Sequence, residues 1–403
     1  MALTNSSKMK KLSRVFFLFM FFIIVGCNKD SLNETTDETE KPLFNSSDGV
    51  SAESPNTGGG DIDSSGQITA GEWSDLTNWA YWNDLYNNQD FAEEINHWGF
   101  YFDHRLSVSV KNMSGMPVID ASLNLKTDQG LVVWSAKSDN KGNAELWIKP
   151  FEKTADLLLE NYSLWVNGNK FKLPLKEIEQ GVNEVQIKNT KVTPKNVEIA
   201  FIVDATGSMS DELEFLKDDL KNIIQKVESS NSNLEILTSS VFYRDVQDEY
   251  VVKHSAFTAN INNTLAFINN QSASGGGDFP EAVHTALNTA LQDLQWSSQA
   301  RTRLAFLILD APPHYDQEVI SELQNSIKQA AQKGIKLIPV TASGIDKETE
   351  FLMRHFSIST NSTYVFLTNH SGIGNDHIEP SIGEYEVELL NELLIRLIKK
   401  YSE

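Results

Sequence analysis

The chain has 403 residues, with 55 acidic and 34 basic side chains and a formal net charge of −21 at pH 7. Hydrophobic residues make up 40% and charged residues 22%, an ordinary globular balance that excludes disorder over the whole chain. The length is enough for about two or three domains. The acidic excess excludes nucleic acid as a partner, because phosphate backbones bind clustered Lys and Arg. A single cysteine excludes a disulfide framework and a cysteine-based zinc site.

Residues 1–26 have the pattern of an export signal. Lys10 and Arg14 precede the apolar run 15–25, which is much shorter than the roughly 20 apolar residues of a transmembrane helix. The four residues Ile-Val-Gly-Cys that end at Cys27 resemble the lipobox of bacterial lipoproteins. This resemblance implies cleavage before Cys27 and acylation of its thiol and new amino group, so that lipid holds the chain on a membrane. The alternative is a short hydrophobic anchor with an incidental cysteine.

Residues 27–60 are predicted to be a flexible linker. Small and polar residues dominate this stretch, which ends in three glycines, and it cannot bury enough apolar surface to offset the entropy of ordering. The residues directly after the cysteine, Asn28, Lys29 and Asp30, resemble surface-export signals of Bacteroidetes lipoproteins. We therefore expect a lipid-anchored protein of the cell envelope, at the outer membrane of a Gram-negative bacterium. Whether it faces the periplasm or the exterior stays open.

Residues 61–72 match the twelve-residue calcium loop of EF-hands. The Ca²⁺ ligands would be Asp61, Asp63, Ser65, the Gln67 carbonyl, Thr69 through water, and a bidentate Glu72. Gly66 would make the sharp turn of the loop. Three glycines stand where the entering helix should be, so the alternative is a polar linker that leads into the next helix.

The rest of the segment 61–104 is rich in tryptophan. Four of the eight tryptophans lie between Trp73 and Trp98, and apolar residues from Trp73 to Leu85 recur at helical spacing. This spacing predicts an amphipathic helix. An aromatic stripe of this kind could bind a ligand, but burial against a neighbouring domain is the favoured interpretation.

Residues 105–192 are predicted to form a small β-sandwich. Apolar and polar residues alternate in short stretches, for example 106–111, and turn sequences such as 139–142 separate them. This pattern predicts about seven strands. The stretches 115–123 and 139–144 are similar to the carboxypeptidase-regulatory-like or transthyretin-like repeat, which implies a spacer or a weak adhesive unit. The stretch carries no catalytic constellation.

Residues 196–402 are predicted to form a doubly wound, Rossmann-like α/β domain. The almost unbroken apolar strands 197–203 and 303–309 end in Asp204 and Asp310, and amphipathic helical patterns lie between the strands. The chain as a whole is thus predicted to be multidomain, with the Trp-rich helical segment and the all-β sandwich before the α/β domain. In such sheets ligands bind at the carboxyl ends of the strands, where both aspartates lie.

Three separated motifs in this domain resemble the metal-ion-dependent adhesion site (MIDAS) of von Willebrand factor type A (VWA) domains. The first loop runs from Asp204 through Thr206 to Ser208, against Asp-x-Ser-x-Ser in the family. Asp278, in a glycine-rich loop that opens a helix, stands where the family has a threonine or aspartate. Asp310 stands where the family has its last aspartate. The resemblance implies a Mg²⁺ site, or one for Mn²⁺ or Ca²⁺, and covers about half of the chain.

The residue types fit this chemistry without the family. Hydroxyls of Thr206 and Ser208 can bind a hard cation without adding charge, while Asp204, Asp278 and Asp310 supply carboxylates. Mg²⁺ keeps several waters in its octahedron, so one position can stay open for a carboxylate from a partner. An extra carboxylate from Asp278 would weaken that attraction. Alternatively, the hydroxyls cap the following helix and Asp310 is a turn residue.

We therefore expect a non-enzymatic lipoprotein that binds a protein partner, or adheres, through a cation-bridged carboxylate. A second hypothesis is a phosphohydrolase with Asp204 as nucleophile, because the sequence around it also looks like the phospho-acceptor motif of P-type ATPases. Ala205 replaces the lysine of that motif, and no later Gly-Asp-Gly follows. A third hypothesis is a purely structural envelope module. The sequence names neither the partner nor the metal.

Overall fold

A computed structural model describes residues 66–153, 157–188, 192–230 and 233–403. The predicted signal peptide, the lipidation site, the linker and the first three calcium-loop ligands lie outside the described residues. No helix in the described part of the chain is both long and apolar enough to cross a membrane.

Fifteen strands and eight α-helices lie within the described ranges. The strands are β1 (Thr69–Trp73), β2 (Arg105–Asn112), β3 (Ser122–Thr127), β4 (Val132–Lys137), β5 (Asn143–Trp147), β6 (Tyr162–Val166), β7 (Asn169–Phe171), β8 (Asn183–Ile187), β9 (Asn196–Asp204), β10 (Glu235–Tyr243), β11 (Val252–His254), β12 (Thr302–Leu309), β13 (Ile335–Thr341), β14 (Tyr364–Leu367) and β15 (Val387–Leu389). The helices are α1 (Trp79–Leu85), α2 (Gln89–Trp98), α3 (Ser210–Ser230), α4 (Ile261–Asn269), α5 (Val283–Gln292), α6 (Gln317–Lys333), α7 (Lys347–Ser359) and α8 (Leu390–Ser402).

The largest sheet has eight strands in the order β11-β10-β9-β12-β13-β14-β1-β15. The five strands from β10 to β14 in this order are parallel to one another, while β11 pairs antiparallel with β10 and β1 pairs antiparallel with both β14 and β15. The order doubles back from β9, as in a doubly wound fold. The predicted α/β class is confirmed.

Both faces of this sheet are buried, which explains its continuous apolar strands. Along β9, Ile199 and Phe201 pack in a core with α3 and α8, whereas Ala200 and Ile202 face the core that α5, α6 and α7 cover. Side chains alternate between the faces of a strand, so a strand covered on both sides needs apolar residues at every position.

Residues 105–187 form two smaller sheets, β5-β2-β8 and β4-β3-β6-β7. Their inward side chains, such as Val108 on the first sheet and Leu125 and Leu164 on the second, belong to one core and are almost wholly buried. Seven strands in two sheets with a shared core agree with the predicted seven short strands.

The Trp-rich segment packs against α7, as the favoured interpretation predicted. Trp82 is fully buried with its ring edge-on to Phe91, and Phe91 in turn contacts Phe351. His355 lies among these rings, and burial lowers its pKa to about 3. The aromatic stripe is therefore core and leaves no exposed ligand platform there.

The structure corrects the prediction of a helix that starts at Trp73. Residues 69–73 form β1, and the helix begins only at Trp79. Gly71 lets β1 fit beside β14, since a Cβ atom there would stand 2.5 Å from the Phe366 ring and 2.9 Å from Tyr385. Tertiary pairing overrides the local helical spacing here. As a result, a strand from the segment 61–104 belongs to the sheet of the domain predicted at 196–402.

Strand β1 also contradicts the predicted calcium loop. Thr69 pairs with Leu389 across the sheet, and its hydroxyl lies 2.8 Å from that of Thr368. Glu72 forms ion pairs with Arg396 at 2.8 Å and Lys400 at 2.9 Å. Burial tends to raise the pKa of Glu72, but these two cations lower it below its usual range. Because Thr69 and Glu72 lie in an extended strand, they do not curl around a common ion, and Arg396 and Lys400 already neutralise the Glu72 carboxylate.

A buried charge network fastens the segment that follows β1 to α7. Asp75 and Arg354 are both fully buried and meet at 2.6 Å, and the Trp73 indole donates to the same carboxylate at 2.8 Å. Arg354 also donates to the Ser381 carbonyl at 2.7 Å. Every charge in this network has a partner, which is the condition for tolerating buried ions.

The β-sandwich attaches to the α/β domain at the amino ends of its strands. Asp120 forms ion pairs with Arg303, the second residue of β12, at 2.9 Å and with Lys137 at 3.0 Å. The Asn140 amide donates to the Lys400 carbonyl near the end of α8 at 3.0 Å. The sandwich therefore sits at the opposite end of the sheet from the strand carboxyl ends, and leaves the loops there uncovered.

We predict that Asp75→Ala lowers the free energy of unfolding by about 3–5 kcal/mol, because it leaves the Arg354 guanidinium buried without its main partner. The matched control is Glu392→Ala, which removes an exposed ion pair with Lys226 and should cost about 1 kcal/mol or less. Urea unfolding curves of the full chain measure both. Equal losses for the two variants would contradict the anchoring role of Asp75.

Candidate metal centre

The carboxyl ends of two neighbouring strands bring Asp204 and Asp310 together. Asp204 is the last residue of β9, Asp310 directly follows β12, and these two strands pair in parallel register. Both side chains are buried, and each contributes to the electrostatic environment of the other. The sequence-predicted pair is therefore placed as expected from its position after two apolar strands.

The loop after β9 adds two hydroxyls to this pair. Thr206 donates to Asp204 Oδ1 both through its backbone N–H, at 2.9 Å, and through its hydroxyl, at 2.7 Å. Its hydroxyl oxygen also lies 3.1 Å from that of Ser208. Ser208 is exposed, whereas Thr206 is fully buried. The cluster thus opens to solvent on the side of Ser208.

Glu281 is the third carboxylate of the cluster, and sequence reasoning missed it. It is 3% exposed, its backbone N–H donates to the Pro312 carbonyl at 2.9 Å, and a Cβ on Gly276 would stand 2.8 Å from its Oε1. Its neighbouring charges include Asp204 and Asp310. One feature of the sequence could have indicated this residue: Glu281 stands just before the apolar start of α5, the side of the helix that faces the sheet.

The structure does not bring Asp278 into this cluster. Its side chain is exposed, and in the described ranges no hydrogen bond or ion pair joins it to Asp204 or Asp310. The glycine-rich loop explains this placement. Gly275 and Gly276 have φ of +83° and +73°, and Asp248 accepts from the Gly276 N–H at 2.8 Å. The loop therefore turns before Asp278, whose side chain is exposed, while the Glu281 side chain is buried.

The three carboxylates have raised pKa values, in each case chiefly because of burial. Burial, then the charge of Asp310, raises the pKa of Asp204 to about 7. Burial raises that of Asp310 to about 6, and Glu212 adds to the effect. Burial, and then the charge of Asp204, raises the pKa of Glu281 to about 9. Like charges in a desolvated cluster disfavour ionisation, and a nearby cation would reverse this.

Each of these carboxylates keeps one buried oxygen without a hydrogen-bond partner. The oxygens are Oδ2 of Asp204, Oε2 of Glu281 and Oδ1 of Asp310, and the phenol oxygen of Tyr243 beside Asp204 is also unpaired. Buried polar atoms are seldom left unpaired, so this set calls for a missing partner. Hard divalent cations prefer such carboxylate and hydroxyl oxygens, so the residues present fit Mg²⁺, Mn²⁺ or Ca²⁺.

Carboxylates alone do not complete a site. In the part of the chain that the structure describes, no three His, Cys, Asp or Glu side chains are grouped so that they could hold a metal ion. A cation at this cluster would therefore depend on the hydroxyls of Thr206 and Ser208 and on water as further ligands.

The two nearby histidines lie beside the cluster. His314 bonds to Asp245 at 2.6 Å and ties the loop after β12 to the loop after β10. His284 lies on α5, where burial lowers its pKa. Neither forms a described hydrogen bond with Asp204, Asp310 or Glu281.

We predict that metal-free protein loses stability as the pH rises, and that Glu281→Gln reduces this loss. The Glu281 carboxyl has a pKa of about 9 in the folded chain against 4.5 normally. The folded state therefore holds the extra proton between about pH 4.5 and about pH 9, and its stability falls as pH rises through that window. Thermal unfolding in chelator should show a melting temperature for Glu281→Gln about 5 °C above that of the unsubstituted chain near pH 9.

The matched control for this prediction is Glu249→Gln, an exposed acid in a neighbouring loop. It should leave the dependence of melting temperature on pH unchanged, because an exposed carboxylate is already solvated. A Glu281→Gln profile as steep as that of the unsubstituted chain would show that Glu281 ionises normally.

Comparison with known proteins gives an independent view of this region. Residues 198–375 match the profile of the family described as von Willebrand factor A domain. An ariadne-like RING finger protein of Acanthamoeba polyphaga mimivirus is 36% identical over 121 residues, which are 30% of this chain and 11% of that protein. Alpha-protein kinase vwkA of Dictyostelium discoideum is 24% identical over 188 residues, 45% of this chain and 29% of that protein. The chain spans less than a third of either relative.

Solved structures with some likeness include BatB from Bacteroides thetaiotaomicron, at 16% identity and a TM-score of 0.36, covering 51% of this chain and 98% of that one. An aerotolerance-related membrane protein from Bacteroides fragilis has 14% identity and a TM-score of 0.34, covering 51% and 99%. The family match coincides with the strands and loops that build the cluster. On that match, and on the mostly parallel sheet it covers, the chain contains a von Willebrand factor A domain.

Proposed function

We propose that the VWA domain binds a divalent cation at Asp204, Thr206, Ser208, Glu281 and Asp310, and through it a carboxylate of a protein partner. The observation that carries this proposal is the set of three buried carboxylate oxygens without hydrogen-bond partners. A divalent cation would neutralise them and lower the pKa values that burial has raised.

The roles of the residues follow from their contacts. Asp204 and Glu281 are more buried than Asp310, and would supply negative charge from the interior side of the site. Asp310 lies near Ser208 and is the least buried of the three acids, so it can act on the cation directly or through a water molecule. Thr206 is held by its own bonds to Asp204. The exposed side at Ser208 is where a partner carboxylate would approach, since the other ligands stand behind it.

The charge balance determines how strongly a partner is attracted. A cation that three carboxylates contact directly carries a negative net charge with them and attracts a fourth carboxylate weakly. Binding through water to one of the three, for which Asp310 as the least buried acid is suited, leaves the site closer to neutral. In this proposal Glu281, rather than the Asp278 expected from the sequence, is the third acidic ligand.

A phosphohydrolase is the alternative that uses the same aspartate. Phosphoaspartyl chemistry needs a free nucleophilic oxygen, which Asp204 Oδ2 offers, and a cationic neighbour for the phosphoryl group. In the described ranges, no lysine pairs with Asp204 or Asp310. The binding function is therefore the better supported of the two.

We predict that the full chain in detergent binds Mg²⁺ or Mn²⁺ in a calorimetric titration, and that Asp204→Asn weakens binding at least tenfold, since one lost ligand costs about 1.4 kcal/mol or more. Asp278→Asn is the matched control, with the same chemical change in the same group of loops, and should keep its affinity. Equal metal affinity of Asp204→Asn and the unsubstituted chain would exclude this site.

Further measurements on the same variants separate the alternative functions. Turnover of a phosphoester, or an acyl phosphate on Asp204 detected by mass, would favour the phosphohydrolase. If Asp204→Asn lowers only the melting temperature and leaves every metal-dependent pull-down unchanged, the cation is purely structural.

We further propose that the protein is a lipoprotein of the cell envelope, held by Cys27 and displayed on its linker, with the sandwich as spacer. The support is the lipobox-like sequence. Cells that express the chain should incorporate labelled palmitate into it, and Cys27→Ser should abolish the label and release the protein from membranes. Labelling of Cys27→Ser at the original level would contradict the anchor.

A further inference from the structure

The loops around the metal centre carry a strong excess of acidic side chains. The four stretches 205–214, 244–253, 272–281 and 310–316 contain ten acidic and two basic residues. The acids are Asp211, Glu212, Glu214, Asp245, Asp248, Glu249, Asp278, Glu281, Asp310 and Asp316, and the bases are Arg244 and Lys253. Even with a divalent cation bound, this face of the domain keeps a negative charge.

Much of this charge is exposed, and the few bases are engaged. Asp211, Glu249 and Asp278 are exposed to solvent. Arg244, by contrast, is buried and donates to the Ala205 and Ser272 carbonyls. Lys253 lies 3.7 Å from the centre of the Tyr250 ring. The negative potential of the face is therefore available to a partner.

Backbone bonds hold these loops in one surface. Gly207 donates to the Gly275 carbonyl at 3.1 Å, Ser274 to the Ala205 carbonyl at 3.0 Å, and Glu281 to the Pro312 carbonyl at 2.9 Å. On the same loops, Phe279 and Val246 are 44% and 45% exposed. Exposed apolar side chains among acids provide contact area beside the charged groups.

The opposite end of the domain differs. There, Arg303 and Lys336 are buried and bonded to acids of the sandwich, so the positive charge at that end is neutralised within the chain. On the acidic face Glu214 pairs with Lys217 and Asp245 with His314, whereas no ion pair among the described residues involves the exposed Asp211, Glu249 and Asp278. Complementary potentials steer association and select partners.

We propose that the partner is a basic polypeptide segment whose metal-binding carboxylate is flanked by Lys or Arg. This inference rests on the proposed function and adds the chemistry of the partner. The acidic face would repel a partner carboxylate without basic neighbours, because all four loops carry negatively charged side chains. Basic neighbours turn that repulsion into attraction, and their aliphatic stems can contact Phe279 and Val246.

The test uses three fluorescent peptides with the full chain in detergent and Mg²⁺, read by anisotropy. The first has a central Asp flanked by lysines, the second has Asn in place of Asp, and the third has Asp flanked by serines. The proposal predicts that the first binds roughly tenfold or more tighter than either of the others, and that added salt weakens it most.

The outcomes separate the two claims. Equal binding of the lysine-flanked and serine-flanked Asp peptides overturns the acidic-face proposal but keeps the metal–carboxylate function. Equal binding of the Asp and Asn peptides with lysine flanks means that the face binds cations without the metal bridge, which overturns the proposed function. If none of the peptides binds, both are overturned.

A charge variant tests the same face from the protein side. Asp211→Asn combined with Glu249→Gln should weaken the lysine-flanked Asp peptide by roughly twofold to fivefold and leave the serine-flanked peptide unchanged or slightly tighter. The matched control is Glu228→Gln with Glu235→Gln, two exposed acids at the other end of the domain. If the control weakens binding as much as the test variant, only net charge matters and the proposed face is wrong.

Discussion

Three carboxylates buried together at one edge of a parallel sheet are the constraint on which the site depends. Burial and like charge disfavour the ionisation of Asp204, Glu281 and Asp310, and each has an oxygen without a partner. Such an arrangement is unfavourable unless something else stabilises it. Protons can do so in part, but a divalent cation would also use the hydroxyls of Thr206 and Ser208. We therefore interpret the cluster as a ligand site rather than as a part of the core.

The rest of the fold holds this edge in place and keeps it uncovered. Strand β1 extends the sheet beside β14, and the ion pair between Asp75 and Arg354 attaches the segment after β1 to α7. The sandwich contacts the amino ends of the strands through Asp120 and Arg303. Buried and partnered charges thus fasten one end of the domain, while the acidic loops at the other end remain accessible to a partner.

The parts of the site that the sequence predicted are those that local pattern determines. An unbroken apolar strand followed by an aspartate places Asp204 and Asp310 at strand ends, and short-range spacing then places Thr206 and Ser208. Glu281 was missed because the path of a glycine-rich loop depends on backbone bonds such as that from Gly276 to Asp248. Sequence spacing alone cannot distinguish its carboxylate from that of Asp278. The calcium loop and the helix at Trp73 failed for a related reason, since pairing of β1 with β14 and β15 is a long-range contact.

Diffraction from crystals grown with Mn²⁺ would test the central claim most directly, because the anomalous signal locates the metal without assumptions about its ligands. The account predicts one peak in contact, directly or through water, with Asp204, Ser208 and Glu281, and with Asp278 outside its ligand shell. A peak held by Asp278 with Glu281 turned away would contradict the assignment of the third carboxylate. No peak at these loops in well-ordered crystals would contradict the metal centre itself.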